Sequence, residues 1–455
     1  MNYLIRHWYR IVLGLGVILY AGIFSYFSLL RYDSFWTGMD LGNMDQTVWN
    51  TVHGAFFSLS NNGMLTTRLA VHADFLLILI APLYVVWANP KLLLILQSIY
   101  LGLGMIPAFL VARHVLKRTE LAIGIALLYS LNTLIQWVNL FDFHMVSLVV
   151  PLFLLVWYLW LKKRWTWYWV CIVVLLLTKE EIGLLMVMFG LLQLVTSKER
   201  VIGLTTAIIG LSYSFIMIFV LMPLVSIQDS HWFWSWYEIR NWFSDPAIRD
   251  YISLLCRSFG FLPLLGAPWL VLAMPELFIN LSSRHVEMQS IHFHYTTVFI
   301  PVFTIASIYG LAYLPRILQR FGKVLQSVAL VVALMITMRV TYHYGPLPIT
   351  ESCWCYPYRV SDIDRQFEQV LRSIPETASV TSSPELHAHL TQRRDAYVLP
   401  YATDSADFIA LIDQVRSVDV LGPKPEELAL IQRLEQEKNY IRVWHAGNYY
   451  LYRKK

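Results

Sequence analysis

Residues 145–161 read Met145-Val-Ser-Leu-Val-Val-Pro-Leu-Phe-Leu-Leu-Val-Trp-Tyr-Leu-Trp-Leu161, and Lys162-Lys-Arg164 follow directly. An apolar helix of this kind spans most of a hydrocarbon core about 30 Å thick, and the cationic cluster marks its end. Similar runs recur along the chain of 455 residues, which is 57% hydrophobic and 14% charged. Ordinary soluble domains carry about 25% charged residues. The composition therefore excludes a soluble enzyme and predicts a mainly α-helical, polytopic membrane protein.

Apolar runs bounded by charged residues predict eleven transmembrane helices within a membrane domain at residues 1–344. These runs cover residues 11–30, 92–112, 119–138, 145–161, 164–178, 182–196, 201–222, 250–265, 268–282, 295–314 and 324–341. A further run, residues 72–87, is short and contains Pro82. Counting it as a span would move two basic loops to the opposite side of the membrane. We therefore predict that it forms an interfacial or re-entrant helix on the outer face.

The short loops between the predicted spans orient the protein in the membrane. With the N-terminus in the cytoplasm, the cytoplasmic segments and their flanks hold 13 Lys and Arg against 2 acids, and the opposite side of this domain holds 9 against 13. Lys and Arg accumulate on the cytoplasmic side, so this orientation is preferred to its inverse. The formal net charge of +5 is interpreted as membrane orientation. No basic surface with interleaved aromatic residues indicates a nucleic-acid partner.

Residues 345–455 form the second predicted domain. They hold 15 of the 30 acidic residues and 13 of the 35 Lys and Arg, so we expect this tail to face water. In the preferred orientation it is extracytoplasmic. Periodicity and turn signals predict a small α/β fold. Its predicted elements are helices at 361–374 and 426–438, strands at 378–383, 396–399 and 407–413, and a closing hairpin at 440–453.

The first outer loop, residues 31–91, contains the first candidate for chemistry. Asp40 lies between Gly38 and Gly42, in a stretch that can turn tightly. A carboxylate there can accept the proton of an acceptor hydroxyl that arrives from outside. A capping or turn role is the structural alternative for Asp40.

A predicted amphipathic helix follows in the same loop. The apolar spacing from Asn43 to His53 is helical, with Asn43 as a plausible N-cap, so we expect this helix to lie on the membrane. Asp45 falls in its first turn. It is either a second catalytic carboxylate or a charge that interacts favourably with the helix N-terminus.

Further polar side chains fall at the outer ends of predicted spans, where such residues are costly and tend to line a cavity. They are His72, Asp142, His144, Lys179, Glu180, Arg284, His294 and Tyr295. The Asp142-Phe-His144 spacing suits a shared metal ion or a hydrogen-bond network. Lys179 and Arg284 can hold a phosphate, or Lys179 can simply pair with a carboxylate. In His292-Phe-His294-Tyr295 the two histidines can bind a metal, or the aromatic ring can anchor the chain at the interface.

Several of these residues belong to a pattern that resembles a known family. The pattern comprises Asp40-Leu-Gly-Asn-Met-Asp-Gln-Thr-Val-Trp-Asn50, His72, Ala81-Pro-Leu-Tyr84, Gln97, Asp142-Phe-His144, Lys179-Glu180, Pro275 and His294-Tyr295. The family consists of bacterial and archaeal membrane proteins catalogued only as a domain of unknown function. The similarity continues in the tail at residues 378–386 and 394–397.

That family in turn is similar to the GT-C superfamily of integral-membrane glycosyltransferases. This superfamily includes protein O-mannosyltransferases and the aminoarabinose transferase of lipid A. Its members take sugar from a polyprenyl-phosphate carrier, and their first outer loop carries an essential Asp, a position that Asp40 matches. They also carry a Lys or His followed by prolines later in the loop. His72 matches that residue, but Ala73-Asp-Phe75 replaces the prolines.

The resemblance implies a GT-C-like fold and an inverting glycosyltransferase that acts at the outer face of the cell membrane. Asp40 is expected to deprotonate the acceptor, and Lys179 or Arg284 to hold the departing phosphate. The other candidates are expected to line the site: His72, Asp142, His144, Glu180, His294 and Tyr295. A divalent metal, Mg²⁺ or Mn²⁺, is left open because some relatives use one. The acceptor, whether protein, lipid or glycan, is also open.

A transporter or flippase for a lipid-linked substrate is the competing interpretation. It would also use buried charges and a lipid-sized cavity. Such proteins often show inverted repeats, and the sequence has no convincing repeat. The glycosyltransferase is therefore the preferred hypothesis.

Overall fold

A computed structural model describes residues 2–226, 235–238, 242, 245–317, 321–351, 358–416, 421–437 and 439–455. Up to residue 344 these residues are mostly helical. The helices are α1 (Asn2–Asp33), α2 (Met39–Val52), α3 (Ala81–Val86), α4 (Pro90–Leu103), α5 (Met105–Leu116), α6 (Thr119–Leu131), α7 (Thr133–Leu140), α8 (Val149–Leu161), α9 (Trp165–Leu176), α10 (Ile182–Thr196), α11 (Arg200–Ile216), α12 (Met222–Val225), α13 (Pro246–Arg257), α14 (Leu262–Leu265), α15 (Met274–Ser282), α16 (Phe299–Ile317) and α17 (Gly322–Tyr344).

The long apolar helices coincide with predicted spans. Those long and apolar enough to cross a membrane are His7–Asp33, Pro90–Leu116, Arg200–Val225, His294–Arg316 and Gly322–Tyr344. Helices α6 and α7 form a further candidate that is bent by 46°. Shorter apolar helices occupy Phe75–Val86, Met145–Leu161, Trp165–Leu176, Ile182–Thr196 and Ala267–Ser282. At about 1.5 Å per residue, these shorter helices fall short of a hydrocarbon core about 30 Å thick.

The span predicted at residues 250–265 is wrong as a single helix. Helix α13 ends at Arg257 and α14 starts at Leu262. Between them Gly260 has φ +57° and Phe261 has φ +61°. A Cβ on Gly260 would lie 2.3 Å from the Cα of Ala333 in α17. Glycine is required at such a position, because the backbone is left-handed and touches a neighbouring backbone. The number of apolar residues in the run does not reveal a turn of this kind.

Helix α2 begins earlier than the sequence predicted, and it is not a membrane-surface helix. Gly38 precedes it without a side-chain cap, so the predicted N-cap role of Asn43 is wrong. Nine of its residues are buried, Asn43 among them. A Cβ on Gly42 would lie 2.4 Å from the ring of His387 in the tail. The helix is therefore enclosed by the tail, because Gly42 lets the two backbones approach closely.

The run at residues 72–87 is a broken helix, which agrees with its exclusion from the simple spans. A 3₁₀-helix covers Phe75–Leu79, and α3 follows with proline in its first turn. Val85 and Val86 at its end are 73% and 87% exposed. Exposed valines on a short helix are expected for a segment at the membrane interface.

The tail has the predicted α/β fold. Its helices are α18 (Asp362–Arg372), α19 (Pro384–His387) and α20 (Pro425–Glu437). After the short β1 (Ser58–Leu59) and β2 (Thr66–Thr67) of the first loop, its strands are β3 (Val380–Ser382), β4 (Ala396–Val398), β5 (Phe408–Ile412), β6 (Gln414–Arg416), β7 (Leu421–Pro423), β8 (Tyr440–Ala446) and β9 (Tyr449–Lys454). The main sheet has the order β4-β3-β5-β9-β8. Strand β3 is parallel to β4 and β5, while β9 is antiparallel to β5 and β8.

Helices cover both faces of this sheet. Phe367 and Leu371 of α18 pack with Ala410 and Ile412 of β5. On the other face, α20 packs against the neighbouring β5 residues, which alternate in direction. The first face also buries Phe35 from the end of α1. The tail core therefore includes a residue of the membrane domain.

Two glycine pairs join α10 and α11. A Cβ on Gly183 would lie 2.2 Å from the carbonyl oxygen of Gly210, and one on Gly190 would lie 2.5 Å from that of Gly203. On each helix the two glycines are seven residues apart, which is about two turns, so they share one face. Small residues let membrane helices pack backbone to backbone. This seam attaches α11, which is otherwise largely exposed.

We expect Gly190→Leu to destabilise the protein, because the added side chain must separate α10 from α11. Overpacking of this kind costs about 1–3 kcal/mol and should lower the melting temperature of the detergent-solubilised protein. Gly22→Leu is the matched control, since nothing lies within 4 Å of a Cβ at Gly22. Equal melting temperatures for the two variants would contradict the seam.

Candidate functional site

A buried ion pair fixes the start of the loop at residues 31–91. The Arg31 guanidinium, in the last turn of α1, lies 2.8 Å from the Asp142 carboxylate, with side-chain exposures of 3% and 0%. Arg31 also donates to the carbonyl of Leu140 at 2.8 Å. The second oxygen of Asp142 accepts the Gly38 backbone N–H at 2.8 Å. Asp142, predicted to bind substrate, thereby holds the backbone that leads into Asp40.

Asp40 and His144 face each other beside this ion pair. The His144 Nε2 lies 3.4 Å from the Asp40 carboxylate, whose side chain is 35% exposed. The His144 Nδ1 lies 3.0 Å from the Asp142 carbonyl oxygen. Because a carbonyl only accepts, Nδ1 carries a proton, and Nε2 is the nitrogen that faces Asp40. A carboxylate open to solvent and backed by an imidazole can accept and pass on a proton.

Charge keeps Asp40 ionised. Burial raises the pKa of Asp40, but the hydrogen bond and charge of His144 together with the charges of Arg68 and His72 outweigh it. The net pKa therefore lies below the usual value. An ionised carboxylate at neutral pH is the form that a general base needs.

His294 and Tyr295 complete the aromatic side of the site. The ring of His294 stacks on that of His144 with centroids 3.7 Å apart and lies 4.2 Å from the ring of Tyr295. Asn280 donates to the Tyr295 carbonyl at 3.0 Å, which holds this turn. Tyr295 is also within charge-interaction range of Asp40 and Lys179. The structure thus brings both predicted residues to the Asp40 site.

Three ion pairs form the charged side: His72 with Glu180, Lys179 with Glu181, and Arg68 with Asp74. His72 Nδ1 lies 2.8 Å from Glu180, whose other oxygen accepts the Ala73 N–H at 2.9 Å. Lys179 pairs with Glu181 at 2.7 Å. His72, Glu180 and Lys179 were predicted, and the structure joins the first two directly.

Arg68 is a charged residue that the sequence analysis missed. Its guanidinium binds Asp74 through Nε at 2.8 Å and Nη2 at 2.7 Å, and both side chains are buried. The positive charge of Arg68 contributes to the lowered pKa of Asp40. The available signal was an Arg and an Asp flanking His72 in the loop, a spacing that does not reveal an ion pair.

Arg284 has a different partner. Its Nε lies 3.1 Å from Glu238, and its side chain is 59% exposed. Among the described residues we find no contact between Arg284 and Asp40 or His144. Its role in phosphate binding remains a prediction. Lys179 is the better placed of the two cations, because it lies near His294 and Tyr295.

Asp45 lies in the interface between α2 and the tail. Its carboxylate accepts hydrogen bonds from Tyr84 at 2.7 Å, Thr391 at 2.6 Å and Gln392 at 3.3 Å. The residue is fully buried. Burial raises the pKa of Asp45 to about 6, although these hydrogen bonds lower it in part. Its catalytic role remains a prediction, and the contacts give it a role in docking the tail.

Neighbouring contacts extend this interface, which we call the docking interface and define as α2 and Ser60 against residues 387–396. Gln46 donates to the Arg393 carbonyl at 3.2 Å and to Ser60 at 2.7 Å. Ser60 in turn donates to the Ala396 carbonyl at 3.0 Å. The helix that begins beside Asp40 is therefore held along one face by the tail.

A histidine joins the tail to α1 as well. His389 Nδ1 lies 2.6 Å from Glu368, and its Nε2 lies 3.1 Å from the Tyr32 carbonyl oxygen. Both partners can only accept, so each ring nitrogen lies where it can donate a hydrogen bond. Burial raises the pKa of Glu368, but the His389 charge and hydrogen bond, with Arg372, bring it to about 2.

Comparison with known proteins now identifies the chain. The family model "Predicted membrane protein (DUF2079)" matches residues 31–455. The chain belongs to the DUF2079 family. No curated protein matches its sequence. The fold is similar to that in the crystal structure of ArnT from Cupriavidus metallidurans bound to undecaprenyl phosphate, with a TM-score of 0.56 and 10% identity over 96% of this chain and 97% of that one.

These comparisons confirm the predicted family and the GT-C-like fold of this DUF2079 member. These comparisons do not test the divalent metal, Mg²⁺ or Mn²⁺, that the sequence analysis left open. Among the described residues, no three His, Cys, Asp or Glu side chains converge as metal ligands. Asp40 and one nitrogen of His144 are the donors that meet at this point, and two donors do not form a metal site on their own.

The raised pKa of Asp45 predicts a pH-dependent stability that Asp45→Asn removes. The folded pKa of about 6 exceeds the unfolded value of about 3.9. The stabilising contribution is therefore fully present below about pH 4 and is lost as the pH rises through 6. Between pH 4 and 7 the wild type should lose up to about 2–3 kcal/mol of unfolding free energy relative to Asp45→Asn.

Unfolding of the detergent-solubilised protein at several pH values measures this difference. Asp33→Asn is the control, because Asp33 is partly exposed and pairs with Lys91 at 2.6 Å. If wild type and Asp45→Asn keep a constant difference across this range, Asp45 does not titrate in the docking interface.

Proposed function

We propose that this DUF2079 member is an integral-membrane glycosyltransferase that moves a sugar from a polyprenyl-phosphate carrier to an acceptor hydroxyl. The observation that carries the proposal is the ionised Asp40 beside His144, in the first loop of a chain whose fold is similar to ArnT. That neighbour is bound to undecaprenyl phosphate, which supports a polyprenyl-linked donor. Its low identity restricts the inference to the general kind of reaction.

In the proposed reaction, Asp40 takes the proton of the acceptor hydroxyl. The acceptor oxygen attacks the anomeric carbon as the bond from that carbon to the phosphate oxygen breaks, which inverts the configuration. The transition state resembles an oxocarbenium ion, as in other glycosyl transfers. The bond electrons leave with the polyprenyl phosphate, whose negative charge increases by one.

His144 and the cations support the two ends of this reaction. His144 Nε2 faces the Asp40 carboxylate and orients it, while its Nδ1 is held on the Asp142 carbonyl, and the partly exposed Asp40 can release its proton to solvent. Lys179, Arg68 and His72 would offset the growing charge of the departing phosphate. Because Lys179 and Arg68 already pair with Glu181 and Asp74, a phosphate must share them with these carboxylates.

The reaction is proposed to occur on the outer face, with the N-terminus cytoplasmic and the tail extracytoplasmic. The basis is the excess of Lys and Arg on the opposite side, 13 against 2 acids. The N-terminal ends of α6 and α17 are in contact, since Arg118 donates to the Lys323 carbonyl at 2.8 Å. Both ends are assigned to the cytoplasmic side.

A topology test follows from this orientation. A reporter that is active only outside the cytoplasm, fused after Lys455, should be active, and a reporter that works only in the cytoplasm should be silent there. The reverse result would invert the side on which Asp40 acts. Fusions after Arg164, in a predicted cytoplasmic loop, provide the matched control.

Asp40→Asn should lower turnover about 100-fold to 10,000-fold, because the amide keeps the shape of the side chain but cannot take a proton. Donor binding should change little. Transfer of labelled sugar from polyprenyl-phosphate donors by the purified protein measures the effect. Asp33→Asn, a carboxylate of the same loop that pairs with Lys91, is the control and should stay active, and Asp45→Asn should cost less than Asp40→Asn.

Full activity of Asp40→Asn beside an active wild type would assign the base to another residue. Movement of the intact lipid-linked sugar between leaflets, without transfer, would instead favour the transporter. The two readouts therefore separate a wrong base from a wrong class of protein.

A further inference from the structure

A basic cavity opens at the opposite end of the membrane domain from Asp40 in the predicted topology. It lies where α6 and α17 begin and has a volume of about 460 Å³. Its lining residues are Arg118, Lys323, Val324, Ser327 and Val328. The two cations come from loops 205 residues apart, so only the folded chain forms this surface.

Arg118 is held in place at the cavity wall. Its guanidinium donates to Ser327 Oγ at 3.0 Å and to the Lys323 carbonyl at 2.8 Å, and its Nε binds Glu120 at 2.7 Å. The Arg118 side chain is 25% exposed, whereas Glu120 is 60% exposed and reaches toward solvent. A fixed guanidinium loses little side-chain entropy when it binds an anion.

The cavity continues into an apolar helix face. Val324, Val328 and Val331 of α17 are 64%, 50% and 54% exposed. They recur at three- to four-residue spacing, so they form one stripe along a helix that is long and apolar enough to cross the membrane. Cations at one end and a lipid-facing stripe below them match the two parts of a phospholipid.

We propose that this cavity binds the headgroup of an anionic phospholipid of the surrounding membrane. Arg118 and Lys323 would contact the phosphodiester, Ser327 would accept or donate a hydrogen bond at the headgroup, and one acyl chain would lie along the valine stripe. Basic pockets between membrane helices on the cytoplasmic side commonly hold such headgroups. The proposal does not depend on the proposed transferase activity.

Charge complementarity decides between lipid classes. A zwitterionic headgroup brings its own cation, which Arg118 and Lys323 would repel. An anionic lipid such as phosphatidylglycerol leaves a net negative charge for them. Each Lys or Arg near a membrane surface favours anionic lipid by about 1 kcal/mol, so two unpaired cations would give a preference of roughly thirtyfold. The Glu120 carboxylate beside Arg118 offsets part of this charge, and we expect a preference of roughly tenfold or more.

Lipid binding to the purified full-length protein tests the site. The protein in detergent is titrated separately with phosphatidylglycerol and phosphatidylcholine, and bound lipid is counted by native mass spectrometry. Wild type should prefer phosphatidylglycerol roughly tenfold or more. The double variant Arg118→Gln, Lys323→Gln should lose this preference, and Arg118→Lys should keep most of it.

The matched control is Lys163→Gln, Lys198→Gln, which removes the same charge from two other loops of the same predicted face and should keep the preference. Equal binding of the two lipids by wild type would overturn the proposal, as would an unchanged preference in the Arg118 and Lys323 double variant. Displacement of phosphatidylglycerol by millimolar inorganic phosphate would show that the cavity recognises free phosphate, and it would overturn the assignment to lipid. Melting temperatures of all variants identify any that fail to fold.

Discussion

The buried ion pair between Arg31 and Asp142 is the constraint on which the candidate site depends. Both charges are almost completely removed from water, and such charges are tolerated only when they are paired and hydrogen-bonded. The pair fixes the end of α1 against the end of α7. Because Asp142 also accepts from Gly38 and its carbonyl orients His144, one aspartate sets the positions of both Asp40 and its imidazole partner.

The tail supplies the second constraint. Helix α2 carries Asp40 in its first turn. It then contacts residues 387–396 through Gly42, Asp45 and Gln46. A helix held at its start by the ion pair and along its face by the tail has little freedom to tilt. The tail is thereby coupled mechanically to the candidate base, although the hydrogen bonds that couple them lie outside the site itself.

Charge pairing explains why the polar loop is stable beside a membrane. Each cation of the site has its own carboxylate: Arg68 with Asp74, His72 with Glu180, and Lys179 with Glu181. These pairs limit the cost of desolvation. Asp40 differs, because its side chain is 35% exposed, more than any of these three carboxylates. That difference makes Asp40 the carboxylate most available to a substrate.

The sequence by itself determined that the chain lies in a membrane, where most helices fall and which elements the tail contains. Apolar runs, charge clusters and alternation are local signals, so they can be found without the fold. It also selected Asp40, His144, His294 and Lys179 as polar residues at costly positions. Only the tertiary structure decided their partners, since His144 meets Asp40 across about a hundred residues and Asp45 meets Thr391 across 346. The same holds for the turn at Gly260 and the enclosure of α2. A contact between distant segments produces no periodic pattern in the sequence of either segment, because it depends on the path of the whole chain.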